Sequence, residues 1–513
     1  MLPRLMTSRR SGAVLVASAF GAGLLLLLAR TALNHVPMYD ELLHILAARG
    51  LIAHGDLRID SGLYLRAELF TRLVAMSLGM FGDTLTAARL PSLAAAVALV
   101  MLVAGWVTRR AGLLAGLVTA GVLCLLSSTV ELAAFARFYS LHAFVIALIG
   151  ILAYESAQPD RAIVGRAVAG SGAVLLLPLA WHLQSTTAIA ALAIAAGVLA
   201  VIAADHLAVL RRVVGRHPLL WGAGVLAALV VGAALFIKLG LYEQFRAVPG
   251  WAAWAANKPQ YYLFALSADL PLLWPLSVAA ALLAWQSQPR LTLFCIVVFV
   301  VAFSAHSIAA AKSMRYLYYA MPFLCIVWGC AISASIEMAG NGRRGWIAVG
   351  LAIAMLGLSV EGQRTARMIA GRIAPADTPA YELEPDWSRA VPALAEAAGK
   401  AQRVITSNSM RALYYLGRYD YELHASIVAE TETGTEFGVD PRTGRRAIST
   451  VQSLRSVIDM PGSTLIVLED KAMHRNSAVS SAVVQAIDTR CAEVSLPREV
   501  PMHAWVCDIR VSP

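Results

Sequence analysis

The feature that most constrains this chain is a succession of long apolar runs joined by short connections that carry arginine. Of the 513 residues, 58% are hydrophobic and only 14% are charged, and the mean hydropathy is +0.66. Soluble domains carry about one-quarter charged residues, and a helix of about 20 apolar residues spans a bilayer. The runs predict about eleven transmembrane helices. The predicted spans are residues 12–33, 85–107, 111–130, 134–154, 164–182, 185–204, 218–239, 269–286, 291–309, 316–336 and 345–360.

Arginines on alternate connections predict how these helices are oriented. Cytoplasmic connections of membrane proteins are enriched in Lys and Arg, and here every second connection is basic. The net charge of +10 is therefore assigned to topology and to lipid headgroups, and nucleic acid is excluded as a partner. The basic connections contain Arg4, Arg9, Arg10, Arg109, Arg110, Arg161, Arg166, Arg211, Arg212, Arg216, Arg290, Arg343 and Arg344.

The N-terminus is predicted to lie in the cytoplasm because basic residues precede the first apolar run. That run is longer than the core of a signal peptide and has no clear cleavage site, so we expect an uncleaved first span. The opposite, extracytoplasmic face then receives several connections and everything after about residue 361. These connections are residues 34–84, the turns at Glu131 and His182, and residues 240–268 and 310–315.

The first extracytoplasmic connection, residues 34–84, is long enough to hold structure of its own. In DELLHILAARGLIAHGDL and in LFTRLVAMSLGMFG the apolar residues recur at helical spacing, which predicts two amphipathic helices in the membrane interface. Residues 240–268, with Trp251, Trp254, Tyr261 and Tyr262, are predicted to lie in the interface too. The two apolar stripes are Leu43, Leu46, Ala47 and Leu51, with Glu41, His44 and Arg49 off the stripe, and Leu69, Leu73, Met76 and Met80.

Beyond residue 360 the composition becomes that of a soluble domain. Strand-like RVITSN and TLIVLED alternate with helix-like SMRALYYLG and SSAVVQAIDTR, which predicts an α/β domain over residues 361–513. Residues 1–360, including the first loop, form the predicted transmembrane domain. Cys491 and Cys507 lie in the tail and are expected to form a disulfide if it is extracytoplasmic. No Cys or His spacing indicates a metal site.

Asp40 and Glu41 directly follow the first span, in NHVPMYDELLH. A carboxylate partly removed from water accepts a proton more readily than one in bulk water, so each residue is a candidate general base. The alternative is that both stabilise the start of a helix, because acidic residues favour its first turn. Their spacing alone does not decide between the two interpretations.

A second candidate group, in ELAAFARFYSLHAF, lies on the same predicted face. It contains Glu131, Arg137, Tyr139 and His142. Ionisable groups at the membrane edge are candidate functional residues. The alternative for Glu131 and Arg137 is a simple ion pair.

Lys312 and Arg315 in AAAKSMRYLYYAMP are three residues apart and project from one helix face. A phosphate at the headgroup level would lie at this end of a span, and arginine binds phosphate through two donors. The alternative is that both side chains reach lipid headgroups. Three weaker candidates have ordinary alternatives: His182 as a polar hinge residue, Tyr261 as an interface anchor and Arg66 as an ion-pair partner of Glu68.

One predicted membrane face thus carries carboxylate residues at 40, 41 and 131 and positively charged residues at 137, 312 and 315. An inverting transfer from a phosphate-linked donor needs both kinds of group. One group removes a proton from the acceptor, and others neutralise the leaving phosphate. The combined pattern predicts such a reaction.

The order of these motifs resembles the GT-C superfamily of integral-membrane glycosyltransferases. The resemblance is carried by YDELLHILAARGLIAHGDL after the first span, FGDTLTAARLPSLAAA before the second, ARFYSLHAF and KSMRYLYYAMP. It covers most of residues 12–336 and is nearest to the bacterial branch of protein O-mannosyltransferases and lipid A aminoarabinose transferases. One departure is LYLRAELFTRL, which stands where the family commonly has a proline-rich stretch.

The resemblance implies a multi-span α-helical protein of the bacterial inner membrane with a periplasmic α/β domain. It implies transfer of a sugar from polyprenyl phosphate to a hydroxyl of a lipid, glycan or protein of the cell envelope. Most members need no metal, so the lipid-linked donor is the one cofactor-like group expected. Asp40 corresponds to the catalytic base, Glu41 to its companion and Glu131 to a supporting acid.

The resemblance also implies which residues hold the donor phosphate. Arg315 corresponds best, and Lys312 and Arg137 are further candidates. The weaker candidates, which are assigned to substrate binding from their positions in the sequence, are Tyr139, His142, His182, Arg66 and Tyr261.

Two other classes of protein remain open from the sequence. A transporter or lipid flippase would use the acids as proton or cation sites, but such proteins usually show internal repeats, and none is visible here. A non-catalytic assembly subunit would use its tail to bind a partner, and would tolerate exchange of Asp40 and Arg315.

Overall fold

A computed structural model describes most of the chain. The described residues are 2–30, 32–33, 35–206, 238, 241–246, 258–340, 385–424, 437–440, 442–473 and 479–509. Several predictions lie wholly or almost wholly outside these residues: the spans at 218–239 and 345–360, the domain border at residue 360, and the positions of Trp251 and Trp254.

The chain divides into two compact units that interleave along the sequence. The membrane unit comprises Met1–Leu33 and Pro91–Gly371, and the α/β unit comprises Asn34–Leu90 and Arg372–Pro513. The first loop therefore groups with the C-terminal region, whereas the sequence prediction placed it in the transmembrane domain.

Helices account for most of the described residues. Two 3₁₀ turns, Tyr318–Ala320 and Trp387–Arg389, accompany them. The helices are α1 (Leu2–Ala29), α2 (Tyr39–His54), α3 (Glu68–Phe81), α4 (Leu85–Ala111), α5 (Leu113–Leu125), α6 (Ser127–Ala133), α7 (Tyr139–Ser156), α8 (Ile163–Leu183), α9 (Thr187–Asp205), α10 (Leu241–Arg246), α11 (Tyr261–Asp269), α12 (Ser277–Ser287), α13 (Pro289–Ile308), α14 (Met314–Leu317), α15 (Met321–Ala339), α16 (Val391–Lys400), α17 (Ser409–Leu416), α18 (Val451–Ile458), α19 (Asp470–Met473) and α20 (Ser481–Asp488).

Seven helices of the described chain are long and apolar enough to cross a membrane, or eight if the pair α5 and α6, bent by 70°, forms one span. They coincide with eight predicted spans, and the chain is a multi-pass membrane protein. The predicted span at 269–286 is interrupted: a turn over residues 271–276 separates α11 from α12. Pro271 and Pro275 lie in that turn, and proline removes backbone donors and disfavours a continuing helix. The total of eleven spans stays a prediction.

Small residues allow the membrane helices to approach closely. In the membrane unit α15 packs on α5, α7 on α8, and α9 on α13. A Cβ on Gly329 of α15 would lie 2.0 Å from Oγ1 of Thr119 in α5, so a larger residue at this position would force the two helices apart. Such small-residue contacts are typical of helix packing in lipid.

The α/β unit contains a seven-stranded mixed sheet and a two-stranded hairpin. The sheet order is β5-β6-β4-β3-β7-β9-β8, with β6, β4, β3 and β7 mutually parallel, and β1 pairs antiparallel with β2. The strands are β1 (Arg58–Ile59), β2 (Gly62–Leu63), β3 (Arg403–Thr406), β4 (Tyr421–Leu423), β5 (Gly438–Val439), β6 (Arg446–Ile448), β7 (Gly462–Glu469), β8 (Ala492–Glu493) and β9 (Met502–Ile509).

Helices cover both faces of this sheet, as the predicted α/β class requires. Leu454 and Val457 of α18 and Ile487 of α20 pack on one face, and Leu394 of α16 and Ala412 of α17 pack on the other. The last six residues of β7 are all buried, because helices cover both faces of this strand, and the four central residues of the six form a continuous apolar run.

The predicted disulfide between Cys491 and Cys507 is confirmed: the two sulfur atoms are bonded, which ties the start of β8 to β9.

Helix α2 is buried on more than one face within the α/β unit, so the prediction that it has one apolar stripe is wrong, whereas its interfacial position stays a prediction. Glu41 and His44, expected off the stripe, are completely buried, as are most residues between them and Gly50. The helix packs against α3 and α17. Nδ1 of His44 lies 2.8 Å from Oγ1 of Thr71 on α3, which satisfies this buried ring nitrogen.

Helix α3 keeps its predicted apolar stripe. Leu69, Met76 and Met80 are exposed and Leu73 is partly exposed, whereas the opposite face of the helix is buried. A helix with one buried face and one exposed apolar face is suited to the bilayer interface. Its interfacial position stays a prediction.

Candidate active site

Asp40 is the second residue of α2 and is partly exposed. Its neighbour Glu41 is buried with Arg89, whose guanidinium donates to both carboxylate oxygens at 2.8 and 2.7 Å. Arg89 also donates to the His35 carbonyl at 3.0 Å, and Glu41 accepts from the Met38 N–H at 3.0 Å. Glu41 thus stabilises the backbone of the first turn of α2, which carries Asp40. Of the two interpretations of this acid, helix stabilisation is the one its contacts favour.

Tyr39, on the other side of Asp40, is held by a second arginine. Nη1 of Arg442 donates to the Tyr39 hydroxyl, and the guanidinium carbon lies 5.4 Å from the centre of the Tyr39 ring. Burial raises the pKa of the Tyr39 phenol well above its ordinary value, so the hydroxyl keeps its proton. The residues before and after Asp40 are therefore each fixed by an arginine of the α/β unit.

Arg442 belongs to a buried group of charges. Its Nε and Nη2 donate to the two oxygens of Asp440 at 2.8 and 3.2 Å, and Nη2 lies 3.7 Å from a Glu422 oxygen. Burial works against ionisation of Asp440, but Arg442 holds the pKa of that carboxyl below its ordinary value. Burial raises the pKa of Glu422 from 4.5 to about 8 despite the opposing effect of Arg442. One acid of this pair is thus ionised and the other protonated at neutral pH.

Glu422 gives the stability of the protein a pH dependence. Its raised pKa favours the neutral form in the folded state, so its stabilising contribution is complete below about pH 4.5 and is lost as the pH rises through about 8. We expect the Tm of the full-length protein in detergent to fall over this range. Glu422→Gln, which cannot ionise, should flatten the decline. The same measurement on Asp459→Asn, an exposed carboxylate paired with Arg490, is the control. A decline that persists unchanged in Glu422→Gln would contradict the assignment.

In the membrane unit, Glu131 lies on α6, the second limb of the bent α5–α6 pair. It is exposed, whereas the other residues of its helix are buried. Glu131 is therefore the one charged side chain of α6, and it is exposed on an otherwise buried helix.

Arg137 and Arg315 lie on the same aromatic ring. Their guanidinium carbons are 5.9 and 5.6 Å from the centre of Tyr139. Arg137 also lies 5.2 Å from the Phe138 ring and is 2% exposed, and Arg315 lies 5.8 Å from the Tyr316 ring. A guanidinium offers paired donors that match the oxygens of a phosphate. The structure thus brings together two of the three predicted phosphate ligands.

Lys312 is the third predicted phosphate ligand, and its ammonium group has other partners. Nζ donates to the carbonyls of His306 and Ser307 at 3.0 and 2.8 Å and to that of Ala309. These carbonyls end α13, where a cation is favoured by the helix dipole. Burial lowers the pKa of Lys312 to about 8. Lys312 therefore caps the C-terminal end of α13, and we do not propose it as a ligand of the donor phosphate.

The weaker candidates are dispersed. His142 is buried, with Nε2 2.9 Å from Oγ1 of Thr187, so it joins α7 to α9. His182 is exposed in the last turn of α8, and Tyr261 packs edge-on against Tyr262 at 5.0 Å. Arg66 is exposed in the α/β unit, where Glu68 pairs with Arg72 at 2.6 Å. None of these geometries indicates a role in catalysis.

Sequence reasoning missed three functional candidates or supports: Arg89, Tyr39 and Arg442. Arg89 stands in the RLPS stretch, and a buried Glu41 needs a cation, which was a usable signal. Arg442 stands in a polar loop, and nothing in the sequence connects it with Tyr39. In the described ranges, no group of three or more His, Cys, Asp or Glu residues is arranged to hold a metal.

Solved structures resemble this chain over 95% of its length. ArnT from Cupriavidus metallidurans in the apo state matches 95% of this chain and 97% of its own, with a TM-score of 0.59 and 15% identity. The same protein bound to undecaprenyl phosphate gives a TM-score of 0.58 at the same coverage and identity. The oligosaccharyltransferase AglB from Archaeoglobus fulgidus, with an inhibitory peptide and a dolichol-phosphate, matches 95% of this chain and 73% of its own, with a TM-score of 0.56 and 10% identity. This chain has the GT-C fold.

The GT-C fold accounts for the order of features predicted from the sequence. Apolar helices come first and the α/β region last, and the matched regions cover nearly the entire chain. No family model and no curated protein matches the sequence. The GT-C likeness therefore rests on three-dimensional structure and on the motifs.

Proposed function

We propose that this protein is an inverting glycosyltransferase that moves a sugar from a polyprenyl-phosphate donor to a hydroxyl acceptor. The observation that carries the proposal is that the guanidinium carbons of Arg137 and Arg315 lie 5.9 and 5.6 Å from the centre of one ring, that of Tyr139. Arginine offers planar pairs of donors that match phosphate oxygens, and a partly buried position strengthens such bonds. The GT-C fold adds support, because ArnT of the same fold has been crystallised with undecaprenyl phosphate.

The leaving group is the polyprenyl phosphate. As the bond between the anomeric carbon and the phosphate oxygen breaks, its electron pair passes to that oxygen and negative charge develops there. Arg315 and Arg137 stabilise this charge more strongly than the charge of the intact diester, so they lower the barrier. Tyr139 keeps the two guanidinium groups at one place through its ring.

Asp40 is the proposed general base. It accepts the proton of the acceptor hydroxyl while that oxygen forms a bond to the anomeric carbon on the face opposite the leaving phosphate. Glu41 and Arg89 support Asp40 by fixing the first turn of α2. Glu131 is proposed as a supporting acid, from its exposed position after the α5–α6 bend.

The proposed location is the extracytoplasmic face of a bacterial inner membrane, with the N-terminus in the cytoplasm. Support comes from the basic residues on alternate connections and from the Cys491–Cys507 disulfide, since disulfides persist in oxidising compartments. The acceptor would then be a hydroxyl of the cell envelope, and the surrounding lipid a partner throughout.

A transfer assay tests the proposal and separates it from lipid transport. Full-length protein in proteoliposomes is given lipid-linked sugars extracted from bacterial membranes, labelled in the sugar, together with an envelope fraction as acceptor. We expect label to leave the lipid and appear in the envelope fraction, with an equal amount of free polyprenyl phosphate. Movement of intact labelled lipid across the bilayer without release of polyprenyl phosphate would contradict the proposal and favour a flippase.

A further inference from the structure

Asp40 lies between two residues whose side chains are both held by arginine. Glu41 is held by Arg89, which is near it in sequence, at a separation of 48 positions. Tyr39 is held by Arg442, at a separation of 403 positions. The second anchor therefore comes from the C-terminal sheet region, which contributes neither the proposed base nor the proposed phosphate ligands.

Arg442 is itself rigidly oriented. Its backbone N–H donates to Oδ1 of Asp440 at 2.9 Å, and its side chain makes a two-point contact with the same carboxylate. A guanidinium fixed at two nitrogens points its remaining nitrogen in one direction, and here that nitrogen donates to the Tyr39 hydroxyl. The contact is thus directional and is more than a general attraction between charge and ring.

The loop that carries Arg442 also contacts the β1–β2 hairpin of the first loop. The Ser61 N–H donates to the Thr443 carbonyl at 3.0 Å, and Arg445 pairs with Asp60. A Cβ on Gly62 would lie 2.3 Å from the Arg442 carbonyl oxygen, so this approach requires glycine. The loop between β5 and β6 is therefore attached to the first loop at three places, and its position relative to Tyr39 is well defined.

We propose that Arg442 is a positioning residue for Asp40, and that the C-terminal sheet takes part in sugar transfer by aligning this base. The inference rests on the proposed function of Asp40. Tyr39 and Asp40 are adjacent in the first turn of α2, so a shift of one moves the other. A general base must lie within hydrogen-bond reach of the proton that it removes, and misplacement by about 1 Å can reduce the rate by about a hundredfold.

The test compares Arg442→Gln and Tyr39→Phe with Arg446→Gln, all in the full-length protein. Tyr39→Phe removes only the hydroxyl and keeps the ring, so it guards against misfolding of Arg442→Gln. Arg446 is the first residue of β6, next to the loop that carries Arg442, and it is exposed, with its guanidinium carbon 5.6 Å from the centre of the Phe437 ring. Arg446→Gln removes one positive charge, as Arg442→Gln does. The measurements are kcat and KM for the lipid donor, and amide hydrogen exchange over residues 36–43.

We expect kcat to fall about tenfold or more in Arg442→Gln and Tyr39→Phe, with KM for the donor nearly unchanged. The double variant should be no slower than Arg442→Gln alone, because both substitutions remove one contact. Hydrogen exchange at residues 36–43 should quicken in both variants and stay unchanged in Arg446→Gln. This exchange readout does not depend on the identity of the acceptor or on turnover.

Two results overturn the inference in distinguishable ways. If Asp40→Asn abolishes turnover but Arg442→Gln and Tyr39→Phe keep a normal kcat, the base stands and its positioning by Arg442 fails. If Asp40→Asn turns over normally, the proposed function of Asp40 fails, and the positioning role fails with it.

Discussion

Asp40→Asn is expected to reduce turnover by about a thousandfold, because general-base catalysis contributes about 10² to 10⁴ to a rate. Asparagine has nearly the same shape, so the first turn of α2 and its anchors at Tyr39 and Glu41 should persist. The binding of undecaprenyl phosphate should be unaffected, because the proposed phosphate ligands lie elsewhere in the sequence. The measurement is sugar transfer in proteoliposomes, together with lipid binding by native mass spectrometry.

Two comparison variants make this result specific. Asp56→Asn removes an exposed carboxylate of the same unit that pairs with Arg58, and turnover should stay normal. Glu41→Gln leaves Arg89 buried without its counter-charge and should destabilise the protein by about 3–5 kcal/mol. Loss of activity in that variant should therefore accompany a lower Tm. Turnover by Asp40→Asn within a factor of about two of the native protein would eliminate Asp40 as the base.

Arg315→Gln is expected to lower kcat/KM for the lipid donor by about a hundredfold, in the range found when one charge-stabilising donor is removed. Arg315 is partly exposed, so its substitution should leave the fold intact, whereas Arg137 is buried and its loss should also lower the Tm. Arg315→Lys keeps the charge but loses the planar pair of donors, and should recover part of the activity. Inhibition by free undecaprenyl phosphate should weaken in parallel.

Arg166→Gln is the matched control for this prediction. Arg166 is an exposed arginine of the membrane unit, and its Nε donates to the Ser156 carbonyl at 2.9 Å. Its substitution should leave kcat/KM for the donor unchanged. An equal loss in Arg166→Gln and Arg315→Gln would indicate a general effect of charge on membrane insertion, and would remove the basis for the phosphate site.

The membrane helices and the α/β class could be predicted from the sequence because they depend on local pattern. Long apolar runs have one stable form in lipid, since every backbone polar group must be bonded within the helix. In the same way, the apolar run in TLIVLED predicts the buried strand β7. The disulfide between Cys491 and Cys507 could be predicted because the tail is expected to lie in an oxidising compartment.

The surroundings of α2 could not be predicted in this way. Its sequence predicts one apolar stripe, because Glu41, His44 and Arg49 are polar. Burial of the first two is possible only because Arg89 and Thr71 supply partners. Periodicity reports which residues are apolar, and it does not report which polar residues have found a partner.

The candidate site could be predicted only in part, because the sequence pattern does not report which charged residues have found a partner. Arg137 and Arg315 meet at Tyr139, as their common predicted face suggested. Lys312 shares that face but is held by the carbonyls that end α13. Three residues of spacing place two side chains on one side of a helix, yet Ser313 is extended and the helix begins only at Met314, so Lys312 lies outside it.

The interleaved order of the two units also determines when the protein can finish folding. The loop that holds Tyr39 emerges from the ribosome early, but Arg442 is 403 positions further along the chain. At about 5–20 residues per second, on the order of 20–80 s separate the synthesis of these two residues. During that interval α2 lacks α17, one of the helices it packs against. Any factor that shields apolar surface during translation therefore acts on an incomplete α/β unit. The first loop is synthesised first, so it stays without its C-terminal partners for the longest time.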